Sequence, residues 1–261
     1  MNSPDMSNLS RLLAIMARLR DTSRGCEWDC AQTFRTIAPY TIEEAYEVDD
    51  AIARDDMAAL KEELGDLLFQ VVFHARMAEE LGLFTFDDVA GAISDKMEAR
   101  HPHVFGEEAD EGQSREERWE NAKAAERASK GADSAMAGVA LALPALMRAE
   151  KLQKRAARQG FDWPDPSGSV EKVVEEIQEL ADASSDDERL AEAGDLLFAA
   201  CNLVRKYGVA PEEALRQANA KFERRYRGME KLAEGRFAAL SLDQQENLWQ
   251  QVKASERGET P

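Results

Sequence analysis

Hydrophobic residues along this chain recur at the three-and-four spacing that puts them on one side of a helix, and no stretch alternates as a strand does. Leu9, Leu12, Leu13, Met16 and Leu19 form the first stripe, which Asp21-Thr-Ser-Arg-Gly25 interrupts. A further helix is expected to open at Pro39-Tyr-Thr41, and another carries Leu60, Leu64, Leu67, Leu68, Val71 and Val72 until Gly82 ends it. In the second half, Val170, Val173, Val174, Ile177 and Leu180 mark one helix. Leu190, Leu196, Leu197, Leu203 and Val204 mark its partner, which stops at Gly208. Pro211 followed by Glu212 and Glu213 is a fresh helix start, since proline fits the first turn and acids complement its dipole. Between the halves, 106–112 reads as an acidic loop, 115–130 as a polar helix and 131–140 as a small-residue linker. The expected class is all-α.

The polar positions of these helices repeat. Glu43-Glu44-Ala-Tyr-Glu47, then Glu63-Leu-Gly-Asp66 and Leu67-Leu68-Phe69, answers Glu175-Glu176-Ile-Gln-Glu179, then Glu192-Ala-Gly-Asp195 and Leu196-Leu197-Phe198. Three further blocks match in the same order. Gly25-Cys-Glu-Trp28 pairs with Gly160-Phe-Asp-Trp163, Lys96-Met-Glu-Ala-Arg100 with Lys221-Phe-Glu-Arg-Arg225, and Arg118-Trp119 to Lys123 with Leu248-Trp249 to Lys253. Matched blocks in one order indicate a duplicated domain. The expected organisation is two tandem helical bundles, 1–130 and 141–261, joined by 131–140, each packing its two acidic helices together.

Residues three or four apart share a helix face, so each EExxE and ExxD segment can present two carboxylates inward. Clustered carboxylates repel unless a cation lies between them, which points to a divalent metal site. Simpler explanations exist for single residues. Thr41 with Glu44 fits a capping box, and acids early in a helix suit its dipole. Glu176, seven residues past the expected cap Ser169, is not explained that way. A di-iron bundle needs Glu-x-x-His pairs, and none of His74, His101 and His103 has a Glu three residues before it.

Charge narrows the partners. With 51 acidic against 33 basic residues the net charge is −18, which argues against nucleic-acid binding through a basic face and leaves an acidic helical scaffold as a rival reading. Cys26, Cys30 and Cys201 do not suggest a disulfide framework, and Cys26 with Cys30 lacks the further ligands of a zinc site. The start of the chain lacks the basic and apolar regions of a signal peptide, and its most apolar stretch, 135–147, is too short to span a bilayer, so a cytoplasmic location with no membrane partner is expected.

EExxE, ExxD with GDLLF, the Lys-x-Glu/Phe-Glu-x-Arg block, the late Trp-x3-Lys and His101-Pro-His-Val-Phe105 together resemble the MazG family of nucleoside triphosphate pyrophosphohydrolases over nearly the whole chain. All-α dUTPases and phosphoribosyl-ATP pyrophosphohydrolases share that superfamily, and a narrower dUTPase-type activity is the alternative it leaves. The resemblance implies an all-α homodimer that uses Mg²⁺ to cleave a nucleoside triphosphate to monophosphate and pyrophosphate. Carried onto this sequence, Glu176, Glu179, Glu192 and Asp195 would hold metal in the second domain, with Glu44, Glu47, Glu63 and Asp66 their counterparts. Glu175 and Glu176 are the candidate catalytic pair, Glu175 orienting or deprotonating water. Lys172, Lys221, Arg224, Arg225 and Lys253 would meet phosphate and Trp249 a base or ribose. Tyr40 and Ala99 stand where Lys172 and Arg224 do, so the second domain is the expected main catalytic unit.

Overall fold

A computed structural model describes residues 7–105, 115–129, 131 and 133–257. The acidic segment 106–112 lies outside them. Among the described residues all regular structure is helical, and packing divides the chain into two units between Ala122 and Lys123.

In the first unit, α1 (Asn8–Leu19), α2 (Glu27–Ala31), α3 (Phe34–Ala53), α4 (Met57–Glu80), α5 (Phe86–Arg100) and α6 (Pro102–Phe105) follow in order, and α7 (Arg115–Ser129) begins there and runs past the division. The acidic helices α3 and α4 pack on one another, and α1 and α5 pack on α4. Met16, Ile37, Val72, Phe73 and Met77 form the core, with Leu12, Leu13, Phe69 and Phe86 against it. Arg20 ties the helix ends together: it forks Glu80 at 2.7–3.0 Å, donates to the Asp29 carbonyl at 2.6 Å and lies over the Phe73 ring.

Helix α3 begins earlier than the expected start at Pro39-Tyr-Thr41, and Pro39 is inside it. Thr33 is the N-cap, exchanging hydrogen bonds with Thr36, and Ile37 is buried in the core. The cap is worth ~1 kcal/mol and the buried isoleucine about 1.5–3 kcal/mol, which offsets the ~3 kcal/mol proline costs within a helix. Thr41 is therefore mid-helix. Its hydroxyl donates to the Ile37 carbonyl and lies 3.0 Å from His74 Nε2, so no capping box accounts for Glu44.

The second unit contains α8 (Ala145–Arg158), α9 (Pro166–Asp182), α10 (Asp186–Lys206), α11 (Pro211–Leu232) and α12 (Leu242–Glu256). Residues 131–140 belong to this unit, where Arg155 donates to the carbonyls of Ala135 and Ala137. Helix α9 packs on α10, α8 on α10 and α11, and α12 on α11. The cap of α9 is Asp165 with Pro166 at the first turn, and not Ser169, which is 1% exposed and accepts a hydrogen bond from Asn202. That leaves Glu176 eleven residues beyond the cap, out of reach of any dipole explanation.

Candidate functional site

Both acidic clusters assemble as three-carboxylate groups. In the second unit Glu176 and Glu179 on α9 and Glu192 on α10 each bring an oxygen within 4.8 Å of the others. Glu176 is 3% exposed. Its Oε1 is 2.6 Å from Lys172 Nζ, while Oε2 is buried with no hydrogen-bond partner among the described residues. Desolvation and the neighbouring Glu176 push the Glu179 carboxyl above its ordinary range. A buried, unpartnered oxygen beside two further carboxylates fits a hard, oxygen-seeking divalent cation. Glu175 is on the exposed side, paired with Lys172 at 3.0 Å. Asp195 is exposed and lines a cavity with Glu176 and Lys172.

The first unit also gathers three carboxylates, but with one acid from its first acidic helix and two from its second: Glu44 from α3 and Glu63 and Asp66 from α4, leaving Glu47 out of the group as Asp195 is left out in the second unit. Desolvation, then the Asp66 charge, pushes Glu44 upward, and desolvation followed by Glu47 does the same to Glu63. Glu47 also raises Glu44, so it interacts with both. Gln70 is buried and sets its amide nitrogen 3.4 Å from Glu44 Oε1. Tyr40, at the Lys172 position, meets the Trp28 ring edge-on at 6.3 Å.

The cavity of the second unit measures about 730 Å³. Leu152, Trp163 and Phe198 supply apolar wall, and Gln153, Asn202 and Arg205 supply polar groups. Gln153 is held by donating to the Phe198 carbonyl at 2.8 Å, and its buried Oε1 has no partner among the described residues. Asp162 anchors the loop between α8 and α9. Desolvation opposes its ionisation, yet Arg205 at 2.8 Å and Lys206 hold its carboxyl below the usual range. Trp163 lies directly on Gly168, where a Cβ would come 2.1 Å from the indole. Sequence reasoning did not place Trp163, Gln153, Asn202 or Phe198 in a site. The available signal was the repeated Gly-x-acid-Trp block, which served only as evidence of duplication.

The remaining cations form a separate group on α11 and α12. Arg225 lies 5.4 Å over the Trp249 ring, and its Nε and NH2 donate to Glu256 at 2.9 and 2.8 Å. Arg224 meets the same carboxylate at 3.2 Å, and Phe222 packs on Trp249. Lys221 is exposed and Lys253 half-buried. None of Lys221, Arg224, Arg225, Trp249 and Lys253 is among the described residues lining the cavity.

Comparison with known proteins gives the same two-part division. The MazG nucleotide pyrophosphohydrolase domain matches residues 32–105, and the phosphoribosyl-ATP pyrophosphohydrolase family matches 146–222. The chain is 52% identical over 260 residues to a protein of Escherichia coli named nucleoside triphosphate pyrophosphohydrolase, covering 96% of this chain and 99% of that one. It is 42% identical over 248 residues to a Thermotoga maritima protein named nucleoside triphosphate pyrophosphohydrolase/pyrophosphatase MazG, covering 94% and 95% respectively.

Proposed function

The chain belongs to the MazG family, and we propose that it hydrolyses nucleoside triphosphates, ribo- or deoxyribo-, to the monophosphate and pyrophosphate with Mg²⁺ as cofactor. The observation that carries this reading is a three-carboxylate cluster in each unit, one of them with a buried oxygen that has no hydrogen-bond partner among the described residues. Glu176, Glu179, Glu192 and Asp195 hold the metal in the second unit, and Glu44, Glu47, Glu63 and Asp66 are their counterparts. Magnesium, when bound, supplies the positive charge that lets a polyanion approach these carboxylates and that stabilises pyrophosphate as it leaves.

The chain's own groups do the rest. Glu175, exposed beside the cluster, orients and deprotonates the water that attacks the α-phosphorus. Lys172 reaches phosphate from the cavity side. Lys221, Arg224, Arg225 and Lys253 hold phosphate oxygens, the arginines by their planar forks, and Trp249 fixes Arg225 while offering a face to the ribose. The cavity beside Glu176 is large enough for a nucleoside, with Trp163 as an aromatic wall. Exposed apolar residues recur on both acidic bundles: Ile42 and Leu68 in the first, with Val174 and Leu197 at the matching positions of the second. They support a homodimer formed through these faces. Among the described residues no helix is long and apolar enough to cross a membrane, and a nucleotide substrate suits the cytoplasm.

The deciding experiment supplies a panel of ribo- and deoxyribonucleoside triphosphates with Mg²⁺, with and without chelator, and separates products by anion exchange. Monophosphate and pyrophosphate, formed only with metal, are expected. Turnover that survives the chelator, or release of single phosphates, would sink the reading.

A further inference from the structure

Within the second carboxylate cluster there is already a cation, and it belongs to the chain. Lys172 is one helical turn before Glu176, and its Nζ lies 2.6 Å from Oε1 of that buried carboxylate and 3.0 Å from Oε1 of Glu175. A carboxylate as buried as Glu176 is strongly unfavourable without a counter-charge. Among the described ion pairs Lys172 is the one made to it. Lys172 is itself only partly buried and lines the cavity, so its ammonium has somewhere to go. The first unit lacks this device: Tyr40 occupies the position, and Glu44 faces the neutral Gln70 amide.

We infer that Lys172 is a resident counter-cation that competes with the divalent metal for Glu176, neutralising the carboxylate until the metal takes it over and frees the ammonium toward the cavity. The two need not share one oxygen to exclude each other. A dication on Oε2 lies within a carboxylate's width of the ammonium on Oε1, and their repulsion opposes joint occupancy. The inference rests on the metal-site reading above and adds to it a role for Lys172 that precedes any contact with substrate.

The test uses the full chain, with Glu44→Gln, Glu63→Gln and Asp66→Asn combined as the parent so that the first group of carboxylates is removed, and Mg²⁺ alone as the probe. Lys172→Met is compared with the parent by thermal unfolding and calorimetric titration, without nucleotide. In chelator, Lys172→Met should melt lower than the parent, because Glu176 has lost its partner. It should also bind Mg²⁺ about tenfold more tightly, a modest share of the ammonium–dication repulsion removed, and gain more in melting temperature on adding it. Lys172→Arg should behave as the parent. Lys172→Met combined with Glu176→Gln has neither charge; it should regain the parent's melting temperature and take up no metal at this cluster, a result available even if Lys172→Met alone does not fold. Equal or weaker Mg²⁺ binding in Lys172→Met, or no recovery in the double variant, overturns the inference. A parent that binds no Mg²⁺ removes the metal reading itself, and the inference with it.

Discussion

Replacing Gly168 with alanine should cost stability in the native sequence and add stability when Trp163 is absent. A Cβ at Gly168 would stand 2.1 Å from Cδ1, 2.5 Å from Cγ and 2.6 Å from Nε1 of the indole. Carbon atoms rest near 3.5–4.0 Å, so the ring must retreat by about 1.5 Å. Its freedom to do so is limited, because Lys206 bonds the Trp163 carbonyl and Arg205 grips Asp162 next door. Overpacking of this kind costs about 1–3 kcal/mol, while exchanging glycine for alanine in a helix returns up to about 1 kcal/mol. The net expectation for Gly168→Ala is a loss of about 1–2 kcal/mol. In a Trp163→Ala background only the helix gain remains, so the sign reverses and the coupling between the two positions reaches about 1–3 kcal/mol. Urea unfolding of the four proteins measures this directly. Equal effects of Gly168→Ala in both backgrounds would refute the packing argument. Because Trp163 lines the cavity, KM for the triphosphate should rise in Gly168→Ala.

Arg225→Lys keeps the charge but loses the fork and the stacking on Trp249, and should raise KM by about tenfold with little change in kcat; an unchanged KM would remove Arg225 from the phosphate site. Asp162 has a carboxyl held below the ordinary range, so it contributes stability above the unfolded aspartate value near pH 4 that is lost as pH falls through its lower folded value. Asp162→Asn should therefore melt lower at pH 7 and lose less on acidification, and identical melting-temperature slopes from pH 6 to pH 2 would contradict this. Cys201 is 2% exposed and burial pushes its thiol up to about 11, so iodoacetamide at pH 8 should label Cys26 and Cys30 while sparing Cys201 until the protein unfolds, as mass spectrometry of the labelled peptides will show. Glu176→Gln should lower kcat/KM by about 10²–10³-fold, whereas Glu44→Gln should retain most activity, and the opposite pattern in the same assay would assign turnover to the first unit.

Much of the fold was legible because helix periodicity and breakers agree along the chain. Gly82 and Gly208, both at positive φ, end α4 and α10 where the apolar stripes stop, and Pro211 opens α11. The clustering of carboxylates was legible in part for a related reason: an i, i+3 pair on each of two adjacent helices can share a face, though each grouping takes in three of the four acids and leaves out Glu47 or Asp195. What failed were boundaries decided by tertiary burial. Pro39 looked like a start because local chemistry disfavours it inside a helix, but Ile37 needed to reach Met16 and Phe73, and the helix extends back to the Thr33 cap to place it. Ser169 resembled a cap by type alone, and burial against Asn202 gave it a different task. The cavity was illegible for a deeper reason. Gln153, Trp163, Phe198 and Asn202 come from α8, a loop and α10, and no spacing in sequence records that these meet.

The two copies keep the same acids, so the difference between them lies in what surrounds those acids. In the second unit the carboxylate at the centre of the cluster is almost fully buried and bound to an ammonium, and a cavity with an aromatic wall opens beside it. In the first, two aromatic rings, Trp28 and Tyr40, touch each other at the place where the second unit has Trp163 and Lys172. A polyphosphate entering the first unit meets a phenol ring where the second offers a positive charge. Carboxylates alone retain a metal, but holding a triphosphate against them takes cations that can move onto phosphate. On the inference drawn above Lys172 is such a cation, released from Glu176 when another positive charge arrives. On this argument a duplicated bundle can keep the same acids in both halves while differing in the cations it offers a triphosphate, and positions 40 and 172 are one place where that difference is written.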